Sequence, residues 1–228
     1  MSLPVRAFLF DLDGVIADTT EYHYRSWKRL AEEEGLPFTR ADNEALRGLS
    51  RRASLNQLLR EQPLDEATAQ AWMARKNAYF SSYLEQMTPA DLLPGVAQLI
   101  DEARAYGLKT AVASSSQNAK RVLERLGVLD RFDVVGDALC VANTKPAPDI
   151  FLWVLERLSV PPQAAVVFED SAVGVAAARK AGCWVVGVGS ADLGGAHLLL
   201  PTLAAAHVEA ILGALAASGA SLNLTGPE

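Results

Sequence analysis

Short runs of consecutive apolar residues recur along the chain, separated by longer segments in which apolar residues have helical spacing. Runs of this kind are typical of strands buried on both faces of a sheet. The pattern predicts strands at residues 7–10, 110–113, 165–168 and 184–188, and a weaker one at 133–136. It predicts helices at residues 96–106, 118–126, 149–158 and 172–181. This alternation predicts an α/β fold, a doubly wound, Rossmann-like parallel sheet with helices on both faces.

Three of the predicted helices are followed by a glycine, at Gly107, Gly127 and Gly182. The position after a helix often takes the left-handed backbone conformation, which glycine adopts at little cost. The three glycines therefore support the predicted helix ends.

The segment from Ile16 to Pro89 breaks the alternation, because it has helical spacing without a convincing strand. One apolar stripe consists of Tyr24, Trp27, Leu30 and Ala31, with Gly35 as its predicted stop; a second consists of Trp72, Lys76, Tyr79, Phe80 and Tyr83. We predict an all-helical cap domain at residues 16–89, inserted into a core domain made of residues 1–15 and 90–228. The hinges are expected near residues 14–16 and 88–90.

The composition narrows the function classes. The 228 residues carry 27 acidic and 21 basic side chains, a net charge of −6, which disfavours a nucleic-acid partner but allows a local pocket for a small phosphate. The first residues do not resemble a signal peptide, and no apolar stretch reaches the length of a membrane span, so a cytoplasmic protein without a membrane partner is expected. Cys140 and Cys183 are too few and too far apart for a zinc or redox motif, and residues 218–228 are expected to be frayed.

Polar residues lie where the predicted strands end. They are Asp11 and Asp13 after the first strand, Ser114 after the second, Lys145 shortly before the helix at 149–158, and Glu169 and Asp170 after the late strand. Ligands of doubly wound sheets bind beyond the carboxyl ends of the strands, so these side chains are expected to meet there.

Together the side chains fit phosphoryl transfer. Several carboxylates make an oxygen-rich site that suits Mg²⁺. Asp11 can be a covalent nucleophile, and Asp13 can act as general acid and base if the backbone turns there. Ser114 and Lys145 can offset charge on the phosphoryl oxygens.

Each residue alone also has an ordinary structural interpretation. A single Asp at a strand end is more often a helix cap, and a single Lys is usually a solvated surface charge. The whole set in this order makes coincidence improbable. A phospho-accepting receiver domain also combines acidic residues, a hydroxyl and a lysine, but such domains are about half this length and have no cap after the first strand.

The motifs Phe10-Asp11-Leu12-Asp13-Gly14-Val15, Ser114, Lys145-Pro146 and Glu169-Asp170-Ser171 resemble those of the haloacid dehalogenase superfamily. The resemblance covers essentially the whole chain, including a helical cap of type C1. Further stretches resemble the β-phosphoglucomutases, one branch of that superfamily: residues 10–19, continued by 21–23, and residues 48–51, 75–77 and 144–149.

The resemblance implies a function and a role for each site residue. Asp11 would be phosphorylated, Asp13 would be the acid and base, and Mg²⁺ would be held by Asp11, the Asp13 main-chain carbonyl, Asp170 and Glu169. Thr19 would steady Asp13, and the pair His23 and Lys76 would couple cap closure to chemistry. The substrate, a small sugar phosphate, would contact Asp13, His23, Trp27, Gly48, Leu49, Ser50, Arg51, Lys76, Ser116, Gln117 and Asn118. The family is commonly monomeric, so a monomer is expected.

Arg51 would grip the distal phosphate, the one that is not being transferred. The family's usual Ser-Lys-Asn there reads Ser116-Gln117-Asn118 in this chain. A neutral amide replaces a cation, which removes a charge-assisted contact worth about 1.5–3 kcal/mol when well formed. The implied reaction interconverts β-glucose 1-phosphate and glucose 6-phosphate through a bisphosphate. A sugar-phosphate phosphatase, in which water attacks phospho-Asp11, would use the same motifs, whereas dehalogenase and phosphonatase branches generally lack an acid at the position of Asp13.

Overall fold

The computed structural model describes residues 5–60, 62–189 and 193–222, in which one six-stranded sheet has only parallel neighbours. The strands are β1 (Ala7–Phe10), β2 (Lys109–Ala113), β3 (Val134–Gly136), β4 (Ala165–Glu169), β5 (Trp184–Val188) and β6 (Leu198–Leu200). Their order across the sheet is β3-β2-β1-β4-β5-β6. The predicted parallel α/β fold is confirmed.

Nine α-helices occur in the described part of the chain. They are α1 (Thr20–Glu33), α2 (Arg40–Glu44), α3 (Arg51–Leu58), α4 (Glu66–Leu84), α5 (Val96–Ala105), α6 (Ala119–Arg125), α7 (Asp149–Leu158), α8 (Ala172–Ala181) and α9 (Val208–Leu222). Gly107, Gly127 and Gly182 have φ of 76°, 69° and 86° after α5, α6 and α8, as expected for the ends of these helices.

Alternate residues of each strand supply the two hydrophobic layers of the core. Phe8 and Phe10 of β1 pack in the layer that contains α5, α6 and α9, whereas Ala7 and Leu9 pack in the layer that contains α7 and α8. Side chains of a strand point alternately to opposite faces, so an unbroken apolar run is required when both faces are covered. This requirement is why the strands could be read from apolar runs.

The site is positioned by the order of the strands. The chain crosses from β1 to one side of the sheet for β2 and β3, and to the other side for β4, β5 and β6. Crossovers that leave in opposite directions open a crevice at the carboxyl ends of the central strands. Phe10 of β1 is paired with Phe168 of β4, and their rings stack at 4.7 Å between centroids, so the ends of β1 and β4 are held side by side.

Helices α1–α4 follow β1 and have a hydrophobic core of their own. Its buried residues are Trp27, Leu30, Ala31, Phe38, Leu46, Leu55, Leu58, Leu59, Ala69 and Met73. This cluster is separate from the two layers that cover the sheet, whereas Phe80 and Leu84 of α4 pack in the layer that contains α5, α6 and α9. An all-helical insertion is therefore present, and the proposed domain limits at residues 16 and 89 remain a prediction.

Two elements were not predicted. β6 contains only three residues and pairs with β5 at the edge of the sheet, and its apolar run ends at Pro201. Helix α9 is rich in Ala, Gly and Ser, and Val208, Ile211 and Leu215 form its buried face. The expected fraying is wrong for residues 218–222, which belong to α9, and residues 223–228 lie outside the described residues. Among the described helices, none combines the length and apolarity that crossing a membrane requires.

Candidate active site

Three acidic side chains meet at the ends of β1 and β4. The Asp11 N–H donates to the Phe168 carbonyl at 2.9 Å, so the pairing of the two strands continues one residue beyond β1. Glu169 ends β4 and Asp170 follows it. Carboxylate oxygens of Asp11, Glu169 and Asp170 lie within 4.8 Å of one another, and all three residues are buried. The predicted meeting of these strand ends is therefore observed.

Lys145 lies between two of these carboxylates. Its Nζ donates to Asp11 Oδ1 at 2.7 Å and to Glu169 Oε1, and the residue is 3% exposed. Burial alone would lower the pKa of Lys145, but the two carboxylates outweigh it and raise the pKa above its usual range. Lys145 is therefore charged at neutral pH, and one oxygen of Asp11 is already engaged by it.

The acidic cluster carries more negative charge than its protein partners offset. Burial is the main cause that raises the pKa of Glu169 to about 8 and that of Asp170 to about 7, and neighbouring carboxylates raise both further. The pKa of Asp11 is also raised, mainly by burial and against the effect of Lys145. Buried carboxyl oxygens that resist ionisation in one another's presence fit a divalent, oxygen-preferring cation.

Asp13 contacts residues at the start of the helical insertion. The chain turns after it, with the Gly14 N–H donating to the Ala17 carbonyl at 2.8 Å. Thr19 Oγ1 donates to Asp13 Oδ1, and His23 Nε2 lies 3.8 Å from the same oxygen. Burial works to raise the pKa of Asp13, but His23, Thr19 and Lys76 together outweigh it and the pKa is lowered. Asp13 is thus ionised at neutral pH.

His23 and Lys76 form a pair in the wall of the cleft. Lys76 Nζ lies 3.0 Å from His23 Nδ1, and 5.1 and 4.7 Å from the ring centroids of Trp27 and Phe80. Burial, followed by the charge of Arg51, lowers the pKa of Lys76 to about 7. His23 Nε2 is buried without a hydrogen-bond partner among the described residues. Leaving a buried ring nitrogen without a hydrogen bond costs free energy. We therefore expect His23 Nε2 to bond to a ligand or to Asp13.

The far end of the cleft is lined with amides. Arg51 Nη1 donates to Gln117 Oε1 at 2.8 Å, and Arg51 Nη2 donates to Asn77 Oδ1 at 2.8 Å. Asn118 Nδ2 donates to the same Asn77 oxygen at 2.9 Å, and the Asn118 N–H donates to Ser116 Oγ at 3.2 Å. The residues expected at the distal phosphate therefore do lie together.

A cleft lies between the helical insertion and the sheet. The predicted residues that line it are Asp11, Asp13, Thr19, His23, Trp27, Gly48, Leu49, Arg51, Lys76, Ser116, Gln117, Asn118 and Asp170. Two further predicted residues, Ser50 and Ser114, accept hydrogen bonds from neighbouring backbone N–H groups. Ser50 caps α3 by accepting from the Ala53 N–H, and Ser114 Oγ accepts from the Ser116 N–H at 3.0 Å.

Several lining residues were not predicted. Arg47 Nη2 contacts Asp170 Oδ2 at 2.5 Å, and Ser115 Oγ donates to the Gly48 carbonyl at 3.0 Å. Asn43 is buried in the same wall. Arg47 and Asn43 lie around the end of α2, and no spacing in the sequence distinguishes them from ordinary surface residues. Ser115 could have been predicted, because it lies in the run of three serines at 114–116 that follows the second predicted strand.

The comparisons with known proteins agree with this geometry. A family model described as haloacid dehalogenase-like hydrolase matches residues 5–182. The chain belongs to the haloacid dehalogenase family. The resemblance predicted from the motifs is confirmed.

Within the haloacid dehalogenase family, the relatives include mutases and a phosphatase. The β-phosphoglucomutase of Bacillus subtilis is 41% identical over 189 residues, 81% of this chain and 84% of the relative. The crystal structure of the β-phosphoglucomutase of Clostridium difficile has a TM-score of 0.91 and 35% identity, over 95% of this chain and 99% of that one. A phosphorylated carbohydrates phosphatase of Thermotoga maritima is 35% identical over 184 residues, 78% of this chain and 82% of the relative. The chain is therefore an enzyme of this family, and the relatives include β-phosphoglucomutases.

Gly174 allows the close approach of α8 to Glu169, which yields a first prediction. A Cβ at residue 174 would overlap the Glu169 carboxylate. Gly174→Ala is expected to lower the free energy of unfolding by about 1–3 kcal/mol, because the displaced carboxylate loses its place at Lys145. Gly213→Ala, in α9 with no neighbour within 4 Å, is the matched control. In urea denaturation it should be neutral or stabilising by up to about 1 kcal/mol; equal effects of the two substitutions would contradict the prediction.

Lys76 yields a second prediction, on the pH dependence of stability. Its pKa of about 7 in the folded protein lies below the ordinary 10.5, so between these values the unfolded chain holds a proton that the folded protein has released. Stability supplied by this group therefore rises with pH across that window. Lys76→Met should unfold at a higher temperature than the wild type at pH 7 and below, by at least about 2 kcal/mol in free energy.

This advantage of Lys76→Met should shrink as the pH rises toward 10.5, and thermal unfolding across the pH range measures it. Lys120→Met removes the same cation from an exposed position on α6 and serves as the control. Parallel pH profiles for the wild type and Lys76→Met would refute the prediction.

Proposed function

We propose that this enzyme is a β-phosphoglucomutase. It interconverts β-D-glucose 1-phosphate and D-glucose 6-phosphate through β-glucose 1,6-bisphosphate and a phosphorylated Asp11. The observation that carries the proposal is that Asp11, Asp13, Lys76 and Arg51 line one cleft, with His23 between Asp13 and Lys76. Asp11 would donate or accept one phosphoryl group and Arg51 would bind the other phosphate, so the cleft suits a substrate with two phosphates. The proposal includes a monomeric, cytoplasmic protein.

Asp11 is the nucleophile in this proposal. Lys145 engages Oδ1, so Oδ2 is left to carry the phosphoryl group. In the forward direction the phosphorylated Asp11 gives its phosphoryl group to a sugar hydroxyl. The P–O bond to Asp11 breaks as the bond to the hydroxyl oxygen forms, and the bisphosphate then reorients and returns its other phosphate to Asp11. Ser114 and Lys145 offset the charge on the carboxylate side of this transfer.

Asp13 is the general base and then the general acid. It starts ionised, because Thr19, His23 and Lys76 favour its charged form, and it takes the proton of the attacking hydroxyl. The protonated carboxyl later returns this proton to the leaving oxygen. Thr19 fixes the orientation of the carboxylate, so the proton is exchanged at one defined place.

A magnesium ion fits the acidic cluster and is part of the proposal. Asp11, Glu169, Asp170 and the Asp13 main-chain carbonyl would hold it. When bound, it would neutralise charge on the phosphoryl oxygens and so complement Lys145. The raised pKa values of Glu169 and Asp170 support this assignment, because a cation there would favour their ionised forms.

The remaining residues bind the sugar phosphate. Arg51, Ser116, Gln117 and Asn118 supply the distal phosphate site. The sugar itself would contact Trp27, Gly48, Leu49, Ser50 and the pair His23 and Lys76. Closure of the cleft excludes water, which a mutase requires because water would otherwise take the phosphoryl group.

A product assay tests the proposal. With Mg²⁺ and a trace of glucose 1,6-bisphosphate, the wild type should convert β-glucose 1-phosphate to glucose 6-phosphate. Asp13→Asn should lower the rate about 10²–10⁴-fold, because it removes the proton transfer. Asp18→Asn, an exposed neighbour that accepts from the Thr20 N–H, is the control and should keep the wild-type rate. Inorganic phosphate as the dominant product would favour a sugar-phosphate phosphatase instead.

Gln117 yields a prediction for the distal site. Gln117→Lys adds a cation beside the phosphate that Arg51 binds, so it should lower the apparent KM for glucose 1,6-bisphosphate. The gain should be about threefold to tenfold, because the position is exposed and the contact is partly solvated. Steady-state kinetics with varied bisphosphate measure it. An unchanged or raised KM would contradict the account of this site.

A further inference from the structure

The helical insertion contributes two buried polar side chains to the cleft that have no protein partner. Asn43 lies in α2 and is 5% exposed, and Ser54 lies in α3 and is 4% exposed. Both residues line the cleft. In the part of the chain that the structure describes, no protein group forms a hydrogen bond with either side chain. Buried polar side chains are nearly always hydrogen-bonded, so we expect each of the two to bond to a ligand or to water.

Asn43 occupies a position where a helix normally carries an apolar residue. Of the five described residues of α2, it alone is buried. Its backbone is satisfied, because the Asn43 N–H donates to the Thr39 carbonyl at 3.1 Å and the Asn43 carbonyl accepts from the Leu46 N–H at 3.0 Å. Leu46 and Arg47, which follow about one turn later, also line the cleft. The side-chain amide is therefore the part of Asn43 that is left for a ligand.

The amide of Asn43 says more about the ligand than the hydroxyl of Ser54 does. A hydroxyl rotates to suit its partner, so a single water molecule can satisfy it. An amide holds an acceptor oxygen and two N–H donors in one plane. Two neighbouring hydroxyls of a sugar match this arrangement, because one donates to the amide oxygen while the other accepts from the amide N–H. The amide is uncharged, so it suits a sugar hydroxyl better than a phosphate.

The proposed substrate limits which hydroxyls Asn43 can bind. In glucose 1,6-bisphosphate the oxygens on C1 and C6 carry the phosphates, and the oxygen on C5 closes the ring. Free hydroxyls remain on C2, C3 and C4, so either neighbouring pair includes the C3 hydroxyl. When the bisphosphate reorients, C2 and C4 exchange sides and C3 stays in the middle. An amide that binds a neighbouring pair therefore meets the C3 hydroxyl in both orientations.

We propose that Asn43 determines the sugar specificity of this enzyme. Its side-chain amide binds the C3 hydroxyl and one neighbouring hydroxyl of the sugar phosphate, in both orientations of the bisphosphate. The enzyme accordingly selects hexose phosphates with a free hydroxyl on C3, because a sugar without it leaves part of a buried amide unpaired. This inference rests on the proposed sugar-phosphate substrate.

Calorimetric titration of the unphosphorylated enzyme with Mg²⁺ measures binding without turnover. The wild type should bind 3-deoxyglucose 6-phosphate about tenfold to hundredfold more weakly than glucose 6-phosphate. Asn43→Leu should lose a similar factor for glucose 6-phosphate and bind the two sugars within about threefold of each other, because the interaction is already absent. Asn56→Leu makes the same change at an exposed position of α3 and should match the wild type. The same titrations with β-glucose 1-phosphate and its 3-deoxy analogue test the other orientation.

Thermal unfolding separates a binding role of Asn43 from a structural one. Asn43→Leu should unfold at the same temperature as the wild type or at a higher one, because it removes a buried amide that has no protein partner. Asn43→Ala, which adds no bulk, repeats the titrations without the risk of overpacking. A lower unfolding temperature in Asn43→Leu, together with an equal loss of affinity for both sugars in the two variants, would mean a structural amide and overturns the inference.

The titrations and the isomerisation assay fail independently. If isomerisation fails but Asn43→Leu no longer distinguishes the two sugars, Asn43 still recognises the sugar and the mutase proposal alone fails. If isomerisation occurs and Asn43→Leu prefers glucose 6-phosphate by the wild-type factor, only the role of Asn43 fails. A wild type that binds both sugars equally well overturns the inference without any variant.

Discussion

The ion pairs of Lys145 with Asp11 and Glu169 are the interactions on which the site depends. Burying two carboxylates next to each other is unfavourable, and a buried ammonium between them is what makes the arrangement tolerable. Loss of one partner from such a group typically costs about 3–5 kcal/mol, because a charge is left buried and unpaired. The same contact fixes the carboxylate of Asp11 at the end of β1. Stability and the placement of the proposed nucleophile therefore rest on the same side chain.

At the cleft, the helical insertion and the sheet domain contact each other through polar groups, whereas Phe80 and Leu84 of α4 pack in the apolar core of the sheet domain. Thr19 with Asp13, Ser115 with Gly48, and Arg51 with Gln117 are contacts of this kind. Hydrogen bonds between solvated groups contribute modestly and exchange readily with water or ligand. An interface made in this way suits a cleft that must open and close, whereas a continuous apolar interface would resist opening. Asp13, Gly48, Arg51 and Gln117 among these residues are also proposed to bind substrate.

The sequence predicted those features that follow from the spacing of apolar residues or from the end of a strand. Apolar runs predicted β1 to β5, and acidic strand ends predicted the cluster around Asp11, because parallel strands deliver their ends to one edge. The resemblance to a family added Arg51 and Lys76, which no periodicity separates from surface charges. Arg47 and Asn77 were missed because their roles arise from contacts between segments far apart in the chain. β6 was missed because an apolar run of three residues is too short to be distinguished from a loop.

The two ends of the cleft are chemically unlike, although a mutase must accept the same bisphosphate in both orientations. The acidic end pairs carboxylates with Lys145 and suits one phosphoryl geometry, that of transfer. The far end offers one guanidinium and several amides, whose donors reorient at little cost. Arg51 can exchange Gln117 for a phosphate oxygen, and Asn77 can keep its bond to Asn118 meanwhile. In the proposed reaction, a distal site of one guanidinium and several adaptable amides would accept a phosphate on either carbon of the sugar, and the specificity of the chemistry would be left to Asp11 and Asp13.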